Sequence, residues 1–208
     1  MPRIFLTPLI LALSLTASAQ LRMRDLWISI PERLAPVLTT NNRLDMIDFA
    51  ESDMEARVRN RLEGQSVLDT LTANYLRCTL TSHTDLQARF FPDSANDSTG
   101  VVALVNTSRT PSGVSTVLLY NTDWSPTGTS VSMPPIEAFA DSCPAQALRE
   151  LADLPLITMR LSPDAPTLTF TISPASLSRD QRKAVEGRLH PITYYWNERK
   201  RTFTPTTL

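Results

Sequence analysis

Few side chains in this sequence belong to the types that do chemistry by themselves. There are two histidines, two cysteines and five scattered glycines. His83 falls in Ser82-His83-Thr84-Asp85, a hairpin-turn sequence, and His190 precedes Pro191 at a strand entrance. Neither has a partner at metal-ligand spacing and HExxH does not occur, so both are expected to be polar loop residues and no metal site is expected. The glycines form no phosphate-cradling loop. GxSxG, Ser-x-x-Lys and CxxC are missing, which removes the sequence signals for a nucleophile elbow, a serine–lysine pair and a redox or zinc knuckle. Carboxylates are plentiful, but no pair stands in an aromatic-rich context of the kind acid/base work on a sugar needs. No catalytic residue and no cofactor is expected. Aromatic side chains are the better lead. Tyr120, Trp124 and Tyr195 fall at strand ends or in the last hairpin, where exposed rings stack on sugars or anchor a partner; the alternative is that they seal the edges of a small core.

These residues must be held by antiparallel sheet. In Tyr75–Pro92, Leu76, Cys78 and Leu80 alternate with polar neighbours, and Leu86, Ala88 and Phe90 resume the alternation after the turn. A second hairpin repeats the pattern, with Ile157, Met159 and Leu161 answered by Leu168, Phe170 and Ile172. Both read as half-buried sheets awaiting helices. Val101–Val105 is apolar on both faces and Val114–Tyr120 returns, so a four-stranded meander is expected, with Asp93–Gly100 as a polar loop. Ahead of it, Ser29 and Pro31 mark a first helix limited by Pro36. Asn41 or Asn42 caps a second helix carrying Leu44, Ile47, Met54, Val58 and Leu62 along one face, with a break open near Ser52-Asp53 and Gly64 as its stop. Arg57, Arg59 and Arg61, flanked by Glu55 and Glu63, read as a solvated helix face.

After Pro134-Pro135 the order restarts. Ile136–Ala140 and Ala145–Ala152 are expected helices. Ser178 and Gln181 have capping-box spacing for a short helix through Val185, and Gly187 ends it. Ile192–Trp196 and Thr202-Phe203 form a last hairpin, which points Tyr195 outward beside Thr193. Fold class is therefore α+β, with antiparallel sheets covered by helices and a weak internal duplication of a helices-plus-four-strands unit. That tandem plan resembles the architecture of the β-lactamase-inhibitor protein, which implies an inhibitor or protein-docking role by analogy of fold alone.

Residues 1–19 read as a secretory signal: Arg3, an apolar run Ile4–Leu15 too short to span a bilayer, and Ala17-Ser18-Ala19 before Gln20. The remainder divides into an N-terminal α+β half, residues 20–126, and a C-terminal half, residues 127–208, expected to pack as one body. The whole chain carries a net charge of −1. That balance speaks against nucleic acid and against a polybasic membrane patch. Export permits a Cys78–Cys143 bridge, and closing the 65-residue interval could contribute about 4 kcal/mol. Free buried thiols are the simpler expectation.

Four segments, Arg24–Pro31, Asn42–Phe49, Asp69–Thr72 and Tyr120–Trp124, together resemble an uncharacterised domain-of-unknown-function family of exported proteins from Bacteroidales-type bacteria. The resemblance brings no activity and no catalytic residues. It implies O-glycosylation at Asp-Ser/Thr signals, here at Thr70, Ser94 and Ser98. The combined reading is a periplasmic or secreted, non-catalytic binding or accessory module of the envelope, whose partner is a protein or a glycan. A hydrolase acting on envelope material through two carboxylates, or a surface-assembly or adhesion component, are the alternatives.

Overall fold

The computed structural model describes residues 22–94, 96–109 and 112–205, without the side chains of 96 and 97. The expected signal, residues 1–19, lies outside the described residues, and so does Ala95 of the Asp93-Ser94-Ala95 signal.

The chain enters through helix α1, Met23–Ser29. Met23, Leu26, Trp27 and Ile30 recur at helical spacing and are all buried, so Ser29 ends this helix instead of starting one. A 3-10 turn, Glu32–Leu34, follows Pro31. Helix α2, Thr40–Glu51, is capped by Thr39, two positions ahead of Asn41 and three ahead of Asn42. Thr39 Oγ1 accepts from the Asn42 amide at 3.0 Å, and Asn42 Oδ1 accepts from the Thr39 amide at 3.0 Å, a reciprocal capping box. The helix does not run on to Gly64. Asp53 adopts φ 55, and past it the burial period drops from 3.6 to 2. Ala56, Val58 and Asn60 are buried while Arg57 and Arg59 are exposed, because Arg57–Arg59 is strand β1. The arginine cluster is thus a charged strand edge and turn, not a helix face.

Six strands, not four, make the first sheet. β1 is followed by β2 (Gln65–Leu71), β3 (Tyr75–Thr81), β4 (Thr84–Asp93), β5 (Asn96–Ser108) and β6 (Val114–Asn121). They pair in sequence order as an antiparallel meander. The supposed polar loop at Asp93–Gly100 is the tip of the β4–β5 hairpin, paired through Pro92↔Gly100 and, after a register shift, at Asp93↔Asn96. On one face Leu68, Leu76, Cys78, Leu80, Leu86, Ala88, Phe90, Val102 and Leu104 pack under α1 and α2.

The second half holds a 3-10 turn, Ile136–Phe139, helix α3 (Ala145–Asp153), strands β7 (Ile157–Leu161) and β8 (Thr167–Ile172), a 3-10 turn at Pro174–Ser176, helix α4 (Arg179–Val185) and strands β9 (Ile192–Asn197) and β10 (Thr202–Thr204). Its sheet runs β10-β9-β8-β7. Six strands behind two helices are not a copy of four strands interleaved with two helices, so the equal tandem units, and with them the likeness to the β-lactamase-inhibitor plan, do not hold.

β4 and β5 are covered on both faces, which a half-buried hairpin would not be. β7 is an edge strand of the second sheet, and it lies across the first sheet's second face. The outward amide of Met159 donates to Ser115 Oγ at 2.9 Å and that of Leu161 donates to Gln87 Oε1 at 3.0 Å. Ser115 and Gln87 are buried polar residues of β6 and β4. They satisfy edge donors that would otherwise be orphaned. Arg89 completes the seam by donating to the Ser162 carbonyl. On one side of β7 the core is closed by Phe91, Val101, Ala103 and Leu119 from the first sheet, and by Met159, Phe170, Tyr194 and Phe203 from the second. On the other side the second face of β1–β3 is open except at Tyr75, which is buried in this same core. Among the described residues no helix is long and apolar enough to cross a membrane.

Candidate binding face

Two of the three candidate rings are core residues. Tyr120 and Trp124 are 6% and 3% exposed, and they close the core under α1. Asn121–Trp124 folds back with Trp124 at φ 63. Its indole Nε1 donates to Ser29 Oγ at 3.2 Å, its carbonyl accepts from Arg33 Nη2 at 3.0 Å, and its ring lies 5.8 Å from that of Tyr120. Rings held this way cannot be offered to a partner, which corrects the expectation drawn from their strand-end position.

Tyr195 differs: it is 44% exposed. In β9, Tyr194 is buried and Tyr195 points away from the core, as alternation requires. The outer face of the second sheet carries Thr158, Thr167, Thr169, Thr171 and Thr193 around it. Thr167 is the cross-strand neighbour of Tyr195 and Thr169 that of Thr193, with the last two hydroxyls 3.2 Å apart. Thr158 pairs with Thr171. The only charge among the outward residues of β7 and β8 is Arg160. Threonine side chains are stiff at χ1, so this face presents hydroxyls in fixed directions.

Because β7 rests edge-on upon the first sheet, this threonine face and the uncovered part of β1–β3 meet along β7 as two walls of an angle. Arg77 and Thr79 stand on the β3 wall. Farther out, Arg57, Asn60, Leu62, Gln65, Val67 and His83 line an open depression of about 510 Å³. A second depression, of about 470 Å³, lies on the far side of the molecule's second half, against α4, with Arg179, Arg182, Lys183 and Leu189 in its wall.

The remaining candidates are scattered. Ser94 and Ser98 are exposed near the β4–β5 tip, and Asp93 pairs there with Arg201 at 2.6 Å. Thr70 is half-buried beside a β-bulge, and its neighbour Asp69 accepts from the Thr79 amide and hydroxyl at 2.9 and 2.8 Å. His190 Nδ1 lies 3.4 Å from Asp141 Oδ2 on the surface. Among the described residues no group of three or more His, Cys, Asp or Glu is placed to hold a metal ion. Both cysteines are free. Cys78 packs beneath the helices while Cys143 packs against the opposite core, so the first sheet separates the thiols. Burial pushes the Cys78 thiol far up, which leaves it protonated and unreactive. Shifted carboxylates are all lowered: Glu32 and Glu55 by hydrogen bonds from Arg61 and Arg57, Asp123 by Ser125.

No curated protein matches the chain. A solved structure does, that of a domain of an uncharacterized protein from Porphyromonas gingivalis W83. The two superpose with a TM-score of 0.72 at 20% identity, over 89% of this chain and 98% of that one. At that identity the likeness establishes a shared fold alone. The profile of a family of proteins of unknown function, DUF3256, matches residues 14–201, and the chain therefore belongs to that family.

Proposed function

We propose that this protein is an exported, non-catalytic binding module of the bacterial envelope, and that it holds a glycan against the outer face of the second sheet. The observation that carries this reading is Tyr195, a solvent-facing ring set among threonine hydroxyls on an otherwise nearly uncharged sheet face. A phenol ring offers a flat apolar surface for the C–H face of a pyranose and a hydroxyl at its rim. The surrounding threonines both donate and accept, as sugar hydroxyls do. Their rotamers are already restricted by β-branching, so little side-chain freedom is lost on binding. Export is supported by the charged-then-apolar N-terminal run with its small-residue cleavage pattern. A carboxylate-based hydrolase gains nothing from the geometry here, because the acids bordering the angle are engaged, Asp69 by Thr79 and Asp85 by Arg109.

The test is retention of the purified protein on immobilised envelope polysaccharide. Wild type should be retained, Tyr195→Ala should lose retention, and Thr129→Ala, outside the face, should keep it. Equal retention of Tyr195→Ala and wild type, or none by either, would sink the reading.

A further inference from the structure

Charge is unevenly matched over the surface of the molecule. Arg24, Arg57, Arg59, Arg61, Arg109 and Arg201 each face a carboxylate within ion-pairing distance. Arg77 and Arg160 have none among the described residues. Other arginines without a carboxylate either stand in open solvent, as Arg149 and Arg179 do, or give their Nη groups to backbone carbonyls, as Arg43 does to Leu38 and Ile28 and Arg89 to Ser162. Arg77 is half-buried, and its Nε is shut off from solvent with no acceptor at all. A partly desolvated guanidinium without a partner is costly, and a bound carboxylate relieves it through paired N–H donors.

Register brings the groups together. Tyr75 and Arg89 are direct neighbours across β3 and β4, and the next pair along the same face is Arg77 and Gln87. Gln87 is the residue on which the Leu161 amide sits, so Arg160, one residue earlier in β7, belongs to the same crossing, and it is near enough to Tyr75 to act on its hydroxyl, as Arg77 is. Burial holds the Tyr75 hydroxyl above its ordinary pKa, while Arg77, Arg160 and Arg89 pull it down and Asp69 pushes it up. That hydroxyl is a proton donor at neutral pH. The nearby acids are Asp69, held by Thr79; Asp85, held by Arg109; and Asp164, close enough to Arg89 to act on its charge.

We propose that Arg77 and Arg160, with the Tyr75 hydroxyl, form a carboxylate site at the vertex of the two sheets, so that the glycan held by the Tyr195 face is an acidic one, of the uronate class. This rests on the glycan reading above and deepens it. An acidic peptide fits less well, since the adjoining wall offers hydroxyls and one ring instead of apolar side-chain pockets.

Calorimetric titration with oligogalacturonate and with its methyl ester tests the assignment, because the two differ only in the free carboxylate. The acid should bind at least about tenfold tighter than the ester, as loss of a charge-assisted pair implies. Arg160→Gln, at an exposed position, and Arg77→Gln, checked for folding by circular dichroism, should each remove that advantage and leave ester binding unchanged. Arg149→Gln should alter neither, and Tyr195→Ala should weaken both ligands. Ester bound as tightly as acid, an acid advantage that survives both arginine substitutions, or glucose 6-phosphate preferred over the uronate would each overturn the proposal. If the ester binds and the acid does not, the carboxylate site fails while the glycan face stands. If neither binds, both fail.

Discussion

Truncating Phe170 puts the packing of the second sheet to a quantitative test. The side chain is fully buried. Its ring meets that of Tyr194 edge-on, with centroids 5.0 Å apart and planes at 65°. Its backbone neighbours across the sheet are Met159 and Ile192. Phe170→Ala forfeits roughly 2 to 3 kcal/mol of apolar burial, and the incompletely collapsed space adds about 1 to 2 kcal/mol. The expected loss is therefore about 3 to 5 kcal/mol, or a fall in Tm of very roughly 6 to 20 °C for a chain of this size. Thr169 is the internal control. It sits one residue away on the same strand and faces outward, with only the Thr193 hydroxyl at 3.2 Å to lose. Thr169→Ala should cost under about 1 kcal/mol. Matched urea melts, with m-values compared to confirm that only stability changed, read both numbers. Equal losses, or a larger loss at Thr169, would refute the assigned register and with it the outward direction of Thr193 and Tyr195.

Three further outcomes follow from other contacts. Ser115→Ala and Gln87→Leu each strand a buried β7 amide and should cost about 1 to 3 kcal/mol; hydrogen exchange should speed up selectively at Met159 and Leu161, and unchanged protection there would contradict the edge-on seam. The folded-state pKa of Cys78 is raised by burial, so its contribution is fully present below the unfolded thiol pKa and is lost as pH rises towards the folded value. In reducing buffer the wild type should therefore lose about 1.4 kcal/mol of stability per pH unit above about pH 8.5 relative to Cys78→Ala, and parallel pH profiles would show that the thiol is not buried. A methyl on Gly100 would fall 2.2 Å from the Phe91 carbonyl oxygen and 2.8 Å from Phe90 Cε2. Gly100→Ala should thus destabilise by about 1 to 3 kcal/mol by thermal melt, and a neutral effect would mean that the β4–β5 tip is looser than described.

Much of this fold was legible wherever a strand alternates and a cap is spelled out. The β3–β4 and β7–β8 hairpins, the outward Tyr195 and the Ser178–Gln181 box on α4 all appear where local pattern places them. β1 and β2 were hidden for local reasons. Val58 and Leu62 carry the helical spacing of α2 onward in the sequence although the chain has already left the helix at Asp53, and the bulge between Leu68 and Thr70 interrupts the alternation of β2. Tyr120 and Trp124 misled because a polar turn, Asn121–Asp123, surrounds rings that fold back under α1. The arginine site was out of reach for a different reason. Arg77 reads as an ordinary outward residue of an amphipathic strand, and its company with Arg160 depends on the crossing of β7, more than seventy residues later in the chain than Gln87. No local signal announces that crossing, although Gln87 and Ser115, polar residues among apolar strands, are its trace.

The central claim is that the angle between the two sheets is where this protein holds its ligand. The most direct measurement is a two-dimensional amide and arginine side-chain spectrum of isotope-labelled protein titrated with oligogalacturonate. Shifts should concentrate at Thr169, Thr193 and Tyr195 on one wall and at Arg77 and Arg160 along the vertex, and leave α4 and the helix-covered face still. Shifts centred instead on Arg179, Arg182 and Lys183, or on the Leu62 and His83 depression, would contradict it.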